Sequence, residues 1–534
     1  MVSFSGLRDA KPGELDAAWR SWRVLVERLE QAEDAYRTRL LGGVRNSKWQ
    51  GRDAEAAMRN LVPVQERIRV SATEASAVAS VLDTAGQRFR LAQLKLNAAI
   101  SEAEAAYLKV GDDGSLTFPD ALPPRFSTWD EYKLAAYRIQ GRMKIALDDA
   151  TNADTEIAAA LRSLDAGILD RRNPLAELRK DAGLATRLAG FKPDDIPPKG
   201  KKTPAEIAQW WRSLPEEQRH LLMNAYPSKI GWLNGIPSED RDEANRTDLQ
   251  SRIADIEARG GPKTDEERRL VKLQGVLGLY EKGGTDRGRT VAPRDVYLLG
   301  LRNDKDGQAI VAFGNPDTAP HTSVFVPGTG DDLNKVDGIL RRNERIWAES
   351  QKYAHGQVAS VMWLGYDTPD GLHNAANASY ADQGAPALDG FVDGVRQTQG
   401  DAGQHGHVTV IGHSYGTRLI GEAAAHGNGL NVDDMVAVGS PGMGVDNVKQ
   451  LHIDQRHFWS ESAPGDLTGY AGPILGGRGG FVPGDEEFGG NAMTTDTEGH
   501  SGYWDIGKGS LRNQALVVVG DYGRVGLDSG KPPS

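Results

Sequence analysis

The chain has 534 residues, 26% of them charged and 39% hydrophobic, with a formal net charge of -11 and no cysteine. That length calls for two or three domains, the lack of cysteine excludes disulfides, thiolate catalysis and cysteine-bound zinc, and the acidic balance argues against nucleic acid or an anionic membrane as a partner. No apolar stretch reaches the length of a membrane span, and Met1 to Arg8 lacks the basic and apolar regions of a cleaved secretory signal. From Glu14 to about Tyr107 apolar residues recur at helical spacing. Leu15, Trp19, Trp22, Val26 and Leu29 share one helix face, and Met58, Leu61, Val64, Ile68, Ser71, Ala75, Val78 and Leu82 trace a seam along a second helix. The segment Leu41 to Asp53 between them reads as a turn, with Asp53 expected to cap the second helix.

Trp49 and Gly51, spaced Trp-x-Gly between two amphipathic helices, resemble the WXG-type helical hairpins associated with type VII secretion in actinobacteria. The resemblance implies a small helical partner docking on residues 1–110 and export without a cleaved signal peptide. Where that family carries an acid four residues beyond a tyrosine, Gly111 follows Tyr107, which favours the cytoplasm.

Residues 111–202 add an Asp113-Gly114 turn, helix from Trp129 to Leu169 and a Pro/Lys-rich linker from Lys192 to Thr203. Residues 203–534 form the third part. It opens with Thr203 as N-cap and Pro204 at the first helical position, followed by Trp210-Trp211. Asp295 to Leu301 and Gln308 to Phe313 flank the Asn303-to-Gly307 turn as a hairpin. Val324–Val326, Val358–Leu364, Val408–Ile411, Met435–Val438 and His457–Ser460 then alternate with helical stretches, the pattern of a mostly parallel, doubly wound α/β sheet.

The strand from His407 runs into Gly412-His-Ser-Tyr-Gly416 and then into helix-forming Arg418 to Ala425. Strand, G-x-S-x-G and helix in that order form a nucleophile elbow: the serine is lifted onto a sharp turn at a helix N-terminus whose free N–H groups can hold an oxyanion. Ser414 is therefore the expected nucleophile. Such sheets order their partners as serine, acid, histidine. Asp466 follows the His457 strand and is the expected acid, and His500, in the polar loop Thr497 to Trp504, the expected base. Asp446 and Asp454 are rival acids. His452 and His457 read as surface or packing residues, and His413 as lining or orienting the turn. The second oxyanion donor is expected in the glycine-bracketed turn after Val326, with Gly328 and Thr329 beside the Tyr415 N–H. Asp367 and Asp370 read as turn residues.

The Trp210-Trp211 helix, the Ile230-Gly-x-Leu-x-Gly-Ile-Pro237 turn, the Arg241-Asp-x-Ala-Asn-Arg246 run, Val326-Pro-Gly-Thr-Gly330 and Gly412-His-Ser-Tyr-Gly-Thr417 together resemble an actinobacterial α/β-hydrolase family over about Thr203 to Tyr522. The residues and the resemblance both point to cleavage of an acyl ester, of a lipid or of a small soluble molecule, with no metal or organic cofactor implied. The alternatives are peptide or amide cleavage, a secreted effector that carries the same chemistry, and an idle hydrolase fold serving as an interaction module.

Overall fold

The computed structural model describes residues 2–46, 52–169, 174–475 and 477–528. Trp49 and Gly51 lie outside the described residues. The chain divides into two compact units. One comprises Met1–Leu40, Val62–Pro193 and Pro215–Ala225, and the other Leu41–Leu61, Asp194–Leu214 and Tyr226–Ser534.

The first unit is helical. Helix Gly13–Ala35 runs antiparallel to the long helix Arg52–Ala105, because Arg90 donates to Asp16 (2.6 Å) at one end and Gln65 to Glu33 (2.6 Å) at the other. Helix Trp129–Leu169 supplies Tyr132, Ile139 and Met143 to a core with Leu96, Ala99 and Ala103, where small side chains allow close helix approach. The Asp113-Gly114 turn closes a short ribbon, Lys109–Val110 against Leu116–Thr117, with Gly114 at φ +83°. The described start of the expected Leu41-to-Asp53 turn is instead helical. The chain widens into a π-helix over Tyr36–Leu41, burying Leu41, and continues as Gly42–Asn46. Asp53 stands inside the first turn of its helix and is not the N-cap.

In the second unit Thr203 accepts from the Glu206 N–H while Glu206 reaches back to the Thr203 N–H, a reciprocal cap with Pro204 at the first position. Among the described residues the sheet has eight strands: β1 (Val296–Arg302), β2 (Gln308–Phe313), β3 (His321–Val326), β4 (Val358–Leu364), β5 (His407–His413), β6 (Asp434–Val438), β7 (Phe458–Glu461) and β8 (Asn491–Ala492). Their spatial order is β8-β7-β6-β5-β3-β4-β2-β1. β3 to β8 are mutually parallel, and β2 pairs antiparallel with β4 and β1.

Side-chain alternation along the strands divides two cores between the faces of the sheet. Phe325, Met362, Ile411 and Val436 pack on the face covered by α1 (Val336–Ser350) and α4 (Gly509–Val518). Val324, Val326, Val361, Val410 and Met435 pack on the other, under α2 (Ser379–Asp401) and α3 (Tyr415–Ala425). The Arg241-to-Arg246 run locks an outlying helix to the sheet edge: Asn245 Nδ2 donates to the carbonyls of Gly231, Arg241 and Leu298, each at 2.9 Å. Gly231 must be glycine there, because a Cβ would stand 2.2 Å from Asn245 Oδ1.

Candidate active site

Ser414 joins β5 to α3 with φ +54° and ψ -128°, a backbone state that a residue with a side chain rarely adopts outside a forced turn. Two glycines make the turn possible by removing the Cβ atoms that would block it. A Cβ on Gly416 would lie 2.3 Å from the Val326 carbonyl oxygen, and one on Gly412 would lie 2.9 Å from the Thr417 nitrogen. The Ser414 N–H donates to the Val438 carbonyl (3.0 Å) and Thr417 Oγ1 to the Ser414 carbonyl (2.7 Å), so the elbow is tied to β6 and to its own helix.

Asp466 lies in the loop after β7, its side chain only 1% exposed. Its Oδ2 accepts from His500 Nδ1 (3.0 Å) and from the Tyr503 hydroxyl (2.6 Å), and its Oδ1 from the Thr468 N–H (3.0 Å) and hydroxyl (2.6 Å). Burial alone would raise this carboxyl, but the hydrogen bonds from His500, Thr468 and Tyr503 outweigh it and hold Asp466 well below the usual carboxylate range. An ionised Asp466 can only accept, so Nδ1 of His500 carries a proton and a neutral ring leaves Nε2 as a base.

The imidazole sits beside the elbow. Gly439, next in the chain to the Val438 that accepts from Ser414, faces it so closely that a Cβ would lie 3.1 Å from His500 Nδ1. The His413 ring lies 4.5 Å from the His500 ring, and its Nε2 is 3.0 Å from the His500 carbonyl oxygen. No hydrogen bond joins Ser414 to His500 among the described residues. His413 is buried, and burial together with the charge of Arg342 holds it far below the ordinary histidine range, so it stays neutral and donates through Nε2.

The turn after β3 passes over the elbow: a Cβ on Gly328 would lie 2.8 Å from Ser414 Cβ and 3.1 Å from the Tyr415 nitrogen. Tyr366 anchors the turn by donating to the Pro327 carbonyl (2.8 Å), and Gly330 donates to the Pro369 carbonyl (2.8 Å). The N–H groups of Tyr415 and Thr329 have no hydrogen-bond partner among the described residues.

The rival residues are engaged elsewhere. Asp446 accepts from the Gly479 N–H (2.5 Å), and Asp454 pairs with Arg456 (2.8 Å) on the surface. His457 and His407 converge on fully buried Asp434 at the opposite end of the strands from Ser414. Asp367 pairs with Lys305 (2.6 Å), and Asp370 accepts from Asn374 (3.1 Å). Sequence reasoning passed over Tyr503 and Thr468. The Asp-x-Thr spacing at 466–468 is an Asx-turn signal that could have found Thr468, whereas Tyr503 lay in the segment already chosen for His500.

This sheet order and elbow define the α/β-hydrolase fold. The model of a family described as alpha/beta hydrolase matches residues 303–476, a stretch that includes Gly328, Ser414 and Asp466 and ends before His500. The chain is 31% identical over 368 residues to an uncharacterized protein of Mycobacterium tuberculosis strain H37Rv, covering 62% of this chain and 54% of that one. An uncharacterized Mycobacterium bovis protein is 32% identical over 157 residues, covering 28% of this chain and 58% of that one. The chain thus spans about half the length of the curated relatives it matches. Among solved structures, an esterase from Pseudomonas putida aligns at 10% identity with a TM-score of 0.22, over 51% of this chain and 92% of that one. The sheet order and the family model over residues 303–476 agree on an alpha/beta-hydrolase fold.

Proposed function

We propose that the protein is a serine hydrolase that cleaves an acyl ester through an acyl-enzyme. The observation that carries this reading is the Asp466–His500 pair packed on Gly439, one residue from the strand position that holds the Ser414 backbone. In the proposed cycle His500 Nε2 takes the Ser414 hydroxyl proton as Oγ bonds to the substrate carbonyl carbon. The resulting oxyanion accepts from the Tyr415 and Thr329 N–H groups. Collapse expels the alcohol, which takes the proton back from His500. Water, deprotonated by the same nitrogen, then attacks the acyl-serine, and His500 passes that proton to Ser414 Oγ as the acid is released. Asp466 fixes the ring tautomer and stabilises the imidazolium throughout.

The test is labelling with a fluorophosphonate and turnover of a short nitrophenyl ester. Ser414→Ala should abolish labelling and lower kcat by about 10⁶-fold with the fold retained. Turnover within tenfold of the wild type would overturn the assignment and favour the interaction-module reading.

A further inference from the structure

Among the described residues, the sheet-bearing unit leaves four large apolar or aromatic side chains largely exposed: Leu467, Tyr470, Ile474 and Ile506. Leu467 follows directly on Asp466, and Tyr470 and Ile474 lie in the short helical turns Thr468–Ala471 and Gly472–Leu475 that come next. Ile506 follows the His500 loop. The bonds from His500, Tyr503 and Thr468 to Asp466 join these two segments, so the exposed side chains belong to the parts of the chain that carry Asp466 and His500.

Leu467, Tyr470 and Ile474 are 70%, 83% and 67% exposed, which is more than a packing role would leave and enough to lose free energy to water unless something covers them. Charge narrows what that cover can be. From Leu467 to Gly484 the sequence holds one charged residue, Arg478, in a chain that is 26% charged with a net charge of -11. The segment from Leu467 to Gly484 therefore sets no carboxylate against a phosphate-bearing lipid surface, and exposed carboxylates lie outside it, among them Glu486, Glu487 and Asp505. A cover that sealed the rim permanently would also block entry to the site, whereas one that carries the substrate would not.

We propose that Leu467, Tyr470, Ile474 and Ile506 seat the mouth of the site on the surface of an aggregated ester lipid, so that the substrate is a long-chain acyl ester presented at an interface. The proposal rests on the ester-hydrolase reading of Ser414 and deepens it.

The experiment uses the full chain. Flotation with palmitoyl-oleoyl phosphatidylcholine vesicles is compared for the Ser414→Ala protein with and without Leu467→Ser, Tyr470→Ser, Ile474→Ser and Ile506→Ser. On otherwise wild-type chains, turnover of emulsified triolein is divided by turnover of dissolved nitrophenyl butyrate. The proposal expects flotation that the four serines abolish, and a ratio that falls at least tenfold. A full chain that stays at the bottom of the gradient, or a ratio that the four serines leave within twofold, overturns it. Because these side chains bury little area, the variant should melt as the wild type does, and flotation gives a reading independent of turnover. Failure of the ester reading shows elsewhere, as absent fluorophosphonate labelling at Ser414, and flotation then decides the lipid surface alone.

Discussion

Gly328 passes Ser414 with no space for a side chain between them: a Cβ would stand 2.8 Å from Ser414 Cβ and 2.6 Å from the His413 carbonyl oxygen. Both neighbours belong to the strained elbow and neither is the loose end of a flexible chain, so the turn after β3 would have to withdraw. That turn presents the Thr329 N–H. Gly328→Ala is therefore expected to displace one of the two proposed oxyanion donors and lower kcat by on the order of 10²-fold, with a smaller change in KM. Steady-state kinetics on a short nitrophenyl ester check this; an unchanged kcat would remove the turn from the site.

The three candidate acids can be separated by amide substitution. Asp466→Asn keeps the shape but lets the ring take the wrong tautomer, and kcat should fall by roughly 10⁴-fold. Asp446 and Asp454 hold only a loop N–H and a surface arginine, so Asp446→Asn and Asp454→Asn should stay near wild type. A large loss in Asp446→Asn with activity kept in Asp466→Asn would put the acid one strand earlier.

Tyr503 bridges the acid loop. Its hydroxyl donates to Asp466 Oδ2 at 2.6 Å and accepts from the Ala463 N–H at 2.9 Å. Tyr503→Phe leaves that N–H without its acceptor and removes one of the bonds that keep Asp466 ionised, an expected cost of about 2 kcal/mol. As a positioning residue Tyr503 should affect kcat more than KM, and the acid limb of the pH–rate profile should move upward in the variant. An unaltered profile with lowered stability would make Tyr503 a packing residue only.

Most of the sheet was legible because each buried strand is a short apolar run. Val358–Leu364 and Gln308–Phe313 stand where the hydrophobic pattern put them. β8 was not legible, since Asn491–Ala492 is two polar or small residues held by pairing with Trp459 and Ser460. The π-helix at Tyr36–Leu41 was missed because one extra residue in a turn leaves no compositional trace. At the candidate site, Ser414 was legible as a local event, a strand breaking on glycine into a helix. The pairing of Asp466 with His500 spans 34 residues and was reached through chain order, with the strand before Asp466 and the polar loop around His500 as the local signals. The second layer, Tyr503 on Asp466 and His413 on the His500 carbonyl, depends on contacts over 37 and 87 residues that no local pattern encodes.

His413 should leave a signature in the pH dependence of stability. Burial lowers its folded pKa far below the value of about 6.5 that it regains on unfolding. Between those values the unfolded chain binds a proton that the folded chain refuses, so stability is lost as pH falls below about 6.5, at up to about 1.4 kcal/mol per pH unit. His413→Gln can still donate to the His500 carbonyl and does not titrate. Its Tm should therefore fall less than the wild type's between pH 7 and pH 5. Asp466, whose pKa is also lowered on folding, contributes stability that is lost only below about pH 4, outside this window. The two proteins differ at position 413 alone, so the difference between the two Tm curves reports that position. Parallel curves would mean that the ring is protonated in the folded state, and its bond to the His500 carbonyl would then be that of a cation.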